Sequence, residues 1–264
     1  MKKYGFILFF LLIGLLDVRF SYGGELSGLQ PLAPNGVFSI FSADTLKKTK
    51  VATAVSAEMA EDPDFFRYSF ALAYGAGENV ELSLNVPYIH EWQGRVDGME
   101  DIAFGFKHRF FKEGKYGPSV AYLITASLIP GKEDFTTDGH IGAGIAISKR
   151  VGPVLGHANF IYAKPGDSKL QDDITFGAGF DFSAAHNFKF LAELYGKRSY
   201  YSSEIDKMEL RAGARFFAGE YFFTTVGVGF DLKDTTPKYR LMLSLTMLYP
   251  EEKKAIKKAY EEEK

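Results

Sequence analysis

The chain has 264 residues, no cysteine and a formal net charge of −2 at pH 7. The lack of cysteine excludes disulfide bonds, which often stabilise exported proteins with a small core, and the near-neutral charge does not indicate a nucleic-acid partner. Aromatic residues make up 16% of the chain, and its 25 Phe, 15 Tyr and 27 Gly favour strands and turns over helices.

The N-terminus has the layout of a secretory signal peptide. Two lysines precede an apolar run of about eleven residues, and small residues follow up to Gly24. The alternative is a membrane-anchor helix, but such a helix needs roughly 20 apolar residues, more than this run provides. We therefore predict a signal peptide at residues 1–23 and export from the cytoplasm.

Residues 24–47 follow the signal peptide and carry two prolines without a regular period. We predict that this stretch is irregular. If the following domain encloses a lumen, the stretch is a candidate plug for it.

From residue 48 onward the chain alternates large apolar residues with small or polar ones. In "FFRYSFALAY", at 65–74, the large residues take every second position, which is the period of a β-strand with two different faces. Segments of about ten to thirteen residues repeat this pattern, as membrane-spanning strands do. The predicted strands are centred on 49–59, 65–75, 79–89, 101–111, 118–129, 140–149, 153–163, 173–183, 188–197, 207–217, 220–231 and 238–249.

The length of these segments decides which face meets water. Strands of a soluble sandwich are usually about five or six residues long and bury their apolar face against a second sheet. Here the face opposite the aromatic residues mixes charges with glycines, which suits a narrow wet lumen. We therefore expect Phe66, Phe70 and Leu72 to face lipid.

The connections alternate between two kinds. One set is mostly short, such as "GAGEN" and "VGP", and the other is longer and more charged, such as "HEWQGRVDG" and "PGKEDFTTDG". Short periplasmic turns and longer outer loops are typical of outer-membrane barrels. We predict an all-β, up-and-down antiparallel transmembrane barrel of about 12 strands over 48–249. Its expected location is the outer membrane of a Gram-negative-type bacterium, with outer-membrane lipid and the barrel-assembly machinery as partners.

The last fifteen residues, "PEEKKAIKKAYEEEK" at 250–264, form a charged tail after Tyr249. We predict a periplasmic tail with two alternatives, a docking element or a solvated end. Its small apolar surface favours the second.

Three blocks resemble a known family. They are "GMEDIAFGFKHR" at 98–109, "TASLIPGK" at 125–132 and "GAGIAISKRVGPVLGHANFIYA" at 142–163. In this order they resemble the outer-membrane transporter family linked with the MetA pathway of phenol degradation, over roughly residues 30–249. The resemblance implies a barrel that passes small solutes across the outer membrane, with hydrophobic or aromatic compounds as the implied class.

Charged residues on the predicted inward face form the main candidate site. Two interpretations stay open: a ring of charge that selects solutes by sign, or an ion-pair network that fills the lumen. The second is favoured because paired charges are the usual way to satisfy such groups away from bulk water. The residues are Lys107, Arg109, Lys189, Glu193, Glu209, Arg211, Arg215 and Arg240.

Aromatic residues near the predicted strand ends are expected to form girdles at the membrane interfaces. The ones we assign to the girdles are Tyr88, Trp92, Phe110, Tyr239 and Tyr249.

A channel or passive transporter for small solutes is the predicted function. One alternative is a non-conducting barrel with a structural or surface-binding role. The other is a hydrolase at the rim, for which Ser127, Asp138 and His140 are the best candidates. No serine stands in a recognisable nucleophile motif, and the histidines lack metal-ligand spacing, so we predict no enzyme, no cofactor and no metal.

Overall fold

A computed structural model describes residues 28–61, 65–90, 96–200, 202–219, 221–233 and 237–249. The predicted signal peptide, the C-terminal tail and Trp92 lie outside the described residues. Thirteen strands form one sheet. They are β1 Val51–Glu61, β2 Phe65–Gly75, β3 Val80–His90, β4 Asp97–Met99, β5 Ile102–Phe111, β6 Ser119–Ile129, β7 His140–Val151, β8 Val154–Pro165, β9 Asp173–Ala185, β10 Phe188–Arg198, β11 Lys207–Ala218, β12 Phe222–Asp231 and β13 Tyr239–Tyr249; a short 3₁₀ helix spans Glu133–Phe135.

The sheet closes on itself. Consecutive strands pair antiparallel, except that β4 and β5 both pair with β3, and β1 pairs with β13 from Val51↔Tyr249 to Glu61↔Tyr239. The short β4 pairs with the last residues of β3, and β5 pairs with the first part of β3. The strands β4 and β5 therefore share one strand position beside β3. The result is a closed antiparallel barrel with 12 strand positions, which confirms the predicted fold class. Among the described residues, every long strand pairs on both sides, so the wall exposes no sheet edge to hydrocarbon, which would not tolerate one; the short β4 pairs with β3 alone.

Side chains along each strand alternate between an exposed outer face and a buried inner face. On β2, Tyr68 and Phe70 are each 46% exposed, while Arg67 and Ser69 are buried at 3% and 5%. An apolar outer face and a polar inner face suit a barrel whose outside meets lipid. Among the described residues, the structure has no helix with the length and apolar character needed to cross a membrane.

The two ends of the barrel differ. At one end short turns join β2–β3, β7–β8, β9–β10 and β11–β12, while at the other end the connections β6–β7, β8–β9, β10–β11 and β12–β13 are longer. Over the long-loop end lies an apolar cluster of Ile89, Phe135 and Tyr200. Asp101 fixes the loop that carries Phe135, because its carboxylate accepts hydrogen bonds from the backbone N–H groups of Gly131 and Thr137, both at 2.8 Å. Burial in this cluster raises the pKa of the Tyr200 phenol.

Residues 28–50 form no strand, and residues 28–46 of this stretch lie inside the barrel, against inward-facing side chains of β3, β8 and β10. Their apolar side chains are largely buried, with Ile40 at 0% and Val37 at 4% exposure. Phe41 and Ala43 pack with Ala121, Leu123 and Ala146 of the wall in one apolar cluster. The barrel core is therefore built partly from this segment, which we call the N-terminal segment.

Candidate functional site

Glu193 of β10 binds the middle of the N-terminal segment. Its carboxylate accepts hydrogen bonds from the backbone N–H groups of Phe38 at 3.0 Å, Ser39 at 2.9 Å and Ile40 at 3.2 Å. Three consecutive N–H groups form a concave donor site that suits a carboxylate. A side chain on the barrel wall thus does for this stretch what a neighbouring strand would do in a sheet.

Other wall residues continue these contacts along the segment. The Asn159 amide accepts a hydrogen bond from the Phe41 N–H at 2.5 Å and donates one to the Phe41 carbonyl at 2.9 Å. In the later part of the segment, the Ala43 N–H donates a hydrogen bond to the Ser148 hydroxyl and the Leu46 N–H donates one to the Glu81 carboxylate, each at 2.8 Å. Because an irregular stretch leaves backbone groups unpaired, these side chains are what allow it to stay buried.

Inward-facing glycines make room for the apolar side chains of the segment. A Cβ built on Gly227 would be 2.3 Å from the Phe38 ring, and one on Gly213 would be 2.9 Å from that ring and 2.1 Å from the backbone oxygen of Val226. Gly177 faces Ile40 in the same way, with a Cβ-to-Cδ1 distance of 2.5 Å. Such distances are below van der Waals contact, so no larger residue fits without movement. The sequence shows these glycines on the inward face, but not what they accommodate.

Four of the predicted inward charges form one connected network. Glu193 and Arg211, which are register partners on β10 and β11, lie 3.1 Å apart, and Arg211 also contacts Glu209 at 2.8 Å. Arg240 binds the other side of Glu209 at 3.0 Å. Opposite charges therefore follow one another along the network, from Glu193 through Arg211 and Glu209 to Arg240.

The network extends to three residues that the sequence analysis did not select. Arg240 contacts Glu58, and Arg67 lies 3.3 Å from Glu58 and 3.0 Å from Glu100. Arg67 occupies an inward position in the alternation of β2, so its face was available from the sequence. Its partners were not, because they depend on the register and on the position of Glu100 between β4 and β5.

The other predicted cations lie toward the short-turn end. Lys107 pairs with Glu81 at 2.9 Å, and Lys189 pairs with Asp181 at 2.8 Å. Arg109 pairs at 3.0 Å with Asp44, a residue of the N-terminal segment rather than of the wall. At the long-loop half, Lys197 and Asp173 form a further pair at 2.9 Å that was not predicted.

Arg215 differs from these cations. It is 1% exposed, and its guanidinium donates to the Thr225 hydroxyl at 3.0 Å and to the carbonyl oxygens of Gly36 and Val37 at 2.9 and 3.3 Å. Pro34 provides a third carbonyl at 3.4 Å. In the described part of the chain it forms no ion pair with a carboxylate.

The N-terminal segment borders cavities inside the barrel. One, of about 90 Å³, is lined by the segment and by Glu58, Arg67, Arg211 and Arg240. Another, of about 80 Å³, lies toward the long-loop end near His140, Lys197 and Tyr200. Each has room for several waters, while pockets for organic ligands are usually about 300–1,000 Å³. In this conformation neither cavity would hold an organic solute.

The predicted interface aromatics lie on the outer surface. Tyr88, Phe110, Tyr239 and Tyr249 are between 41% and 65% exposed. They stand near the ends of their strands, where the barrel would leave the hydrocarbon region.

The candidate rim triad does not form. Ser127 and His140 are register partners on β6 and β7, but the Ser127 hydroxyl is buried and has no hydrogen-bond partner among the described residues. His140 contacts Thr137 at 3.5 Å, and Asp138 is exposed. In the residues that the structure covers, no cluster of three or more His, Asp or Glu side chains could hold a metal ion.

Known structures resemble this barrel. An outer-membrane channel from Pseudomonas putida F1 superposes with a TM-score of 0.57 at 13% identity, covering 78% of this chain and 98% of that one. The KdgM and NanC porins each give a TM-score of 0.55, at 10% and 7% identity, covering 74% of this chain and 98% of theirs. The chain has the fold of outer-membrane channels and porins. These neighbours are channels rather than enzymes. Neither the family models nor the curated proteins contain a match.

Proposed function

We propose that this protein is an outer-membrane channel for the passive diffusion of small solutes, and that the N-terminal segment is its plug. The observation that carries the proposal is the polar wall of a closed barrel that binds an irregular segment through side chains. Glu193, Asn159, Ser148 and Glu81 hold the segment by hydrogen bonds rather than by strand pairing. Such contacts can be exchanged for water without opening the sheet.

The likeness to outer-membrane channels and porins supports the location and the class of function. An exposed apolar face, interface aromatics and short turns at one end fit an outer membrane in a Gram-negative-type bacterium. The resemblance to the transporter family linked with the MetA pathway adds hydrophobic or aromatic compounds as a solute class. Among these compounds, the charged wall favours the ones that also carry a polar group. A solute that enters the lumen displaces water from the charged side chains, and a polar group can form the hydrogen bonds that this water made.

The mechanism follows from the small size of the cavities. With the segment in place, the space beside it suits water and not an organic solute. When the segment leaves, the volume it occupies joins these cavities along the barrel axis. The wall changes little, because Glu193 keeps Arg211 and Glu81 keeps Lys107 when the backbone donors depart.

A non-conducting barrel is the second candidate, and the occupied lumen is the observation that favours it. Single-channel recording on the purified chain in planar bilayers separates the two. The channel proposal predicts discrete opening steps with long closed intervals, together with uptake of small solutes into proteoliposomes. A silent bilayer and impermeable vesicles, from protein that shows heat-modifiable migration on detergent gels, would favour the non-conducting barrel.

A further inference from the structure

Arg215 is a buried cation whose counter-groups are supplied largely by the N-terminal segment. Three of its four contacts are backbone carbonyl oxygens of Pro34, Gly36 and Val37. A buried charge is normally paired with an opposite charge, because its desolvation is costly. Here carbonyl dipoles take the place of a carboxylate.

The charged wall residues around Arg215 pair with one another rather than with Arg215. Lys189 is its register partner on β10 and lies on the same inward face. The nearby carboxylate of Asp181 contacts Lys189 at 2.8 Å and lies 3.8 Å from His157. On the wall, only the Thr225 hydroxyl contacts the Arg215 guanidinium among the described residues.

Departure of the segment would make the lumen more positive. Arg215 would lose its three carbonyl partners and Arg109 would lose Asp44. The wall carboxylates that release backbone N–H groups, Glu193 and Glu81, would keep their cations. Opening thus uncovers positive charge at Arg215 and Arg109.

We infer that Arg215 and Thr225 form a binding site for the carboxylate of a small organic anion, and that the carbonyls of residues 34–37 occupy this site in the closed state. A guanidinium presents parallel N–H donors that match the two oxygens of a carboxylate. The Thr225 hydroxyl already accepts from Arg215 and its own proton is available to an anion oxygen. The inference rests on the proposed opening of the segment.

Benzoate binding to the detergent-solubilised full chain tests the site without relying on conduction. The protein is a Gly227→Ala variant, in which the added Cβ would displace Phe38 and loosen the segment, and equilibrium dialysis measures the bound benzoate. We expect binding that is stronger than in the wild type. Adding Arg215→Gln should weaken benzoate binding by about tenfold or more, because the positive charge and the parallel N–H donors of the guanidinium are both lost. Arg215→Lys, which keeps the charge, should recover part of it.

Benzyl alcohol, neutral and of similar size, is the control solute, and the exposed Arg150→Gln is the control variant. Equal binding of benzoate with and without Arg215 would overturn the site, as would equal binding of the alcohol or no binding at all. If Arg215→Gln fails to fold, the comparison of Arg215→Lys with the protein that retains Arg215 decides. The lysine keeps the charge and loses the parallel N–H donors, and this loss alone should lower the affinity for benzoate. Arg215-dependent binding by a protein that never conducts would retain the site and reject the channel.

Discussion

Gly227 of β12 lies directly against the ring of Phe38, with 2.3 Å between the Cε1 atom of that ring and the position a Cβ would take on the glycine. The three atoms nearest to that position all belong to the Phe38 ring, and the backbone of Gly227 has a conformation open to any residue. A methyl group there would therefore act first on Phe38 of the N-terminal segment.

The first prediction is a coupling between these two residues. Gly227→Ala should destabilise the barrel by about 1–3 kcal/mol through overpacking and raise the open probability, while the same change in a Phe38→Ala background should cost much less. Urea titration in lipid vesicles and single-channel recording measure the two effects. Gly156→Ala, whose Cβ would be 3.8 Å from its nearest neighbour, is the matched control. Equal costs in the two backgrounds would show that Phe38 does not occupy this space.

The second prediction concerns Glu193, which joins the charge network to the segment. Glu193→Gln removes the charge that pairs with Arg211 and that three backbone N–H groups share. We expect a loss of about 3 kcal/mol in the free energy of unfolding, because breaking a buried pair leaves a charge uncompensated. Arg211 retains Glu209, which limits the loss. The exposed Glu61→Gln, at the end of β1, serves as the reference, and matching losses in the two variants would reject the proposed role of Glu193.

A third prediction tests which face of β2 meets lipid. Phe70 lies at the centre of the strand with 46% exposure, and Tyr74 lies near the short turn with 41%. An arginine at the bilayer midplane costs about 2–4 kcal/mol and one near the interface about 0–1 kcal/mol. Phe70→Arg should thus be clearly more damaging than Tyr74→Arg when unfolding is followed in vesicles. A reversed order, or recovery of the wild type as a soluble protein, would contradict the membrane orientation.

The strands could be predicted because their signal is local. Alternation with period two placed the third strand at 79–89, and the structure has it at Val80–His90. The lipid and the lumen impose opposite chemistry on neighbouring side chains, so the sequence must alternate wherever the chain crosses. The strand order then follows from short connections between neighbours.

The arrangement of the N-terminal segment could not be read in the same way. Its contact between Phe38 and Glu193 joins residues 155 positions apart, and no period in the sequence relates them. The inward glycines Gly177, Gly213 and Gly227 gave a partial signal, since a wall of small residues implies that something approaches it closely. Arg215 was selected as an inward charge, but its carbonyl partners depend on the fold of the segment.

A disulfide between the N-terminal segment and the barrel wall tests most directly whether the segment is the plug of the channel. The hydroxyl oxygens of Ser42 in the segment and Ser148 on β7 are 3.5 Å apart, and the chain has no cysteine of its own. In the Ser42→Cys, Ser148→Cys double variant, a disulfide between these positions would tie the segment to the wall. Each single cysteine variant is the control for the effect of substitution alone.

The measurement is the single-channel current of this double variant in planar bilayers, first oxidised and then after reduction on the same membrane. If the segment is the plug, the oxidised protein stays closed and reduction restores openings at the level of the single variants. Openings of equal size and frequency before and after reduction would contradict the account, because solutes would then pass a segment that cannot leave the lumen.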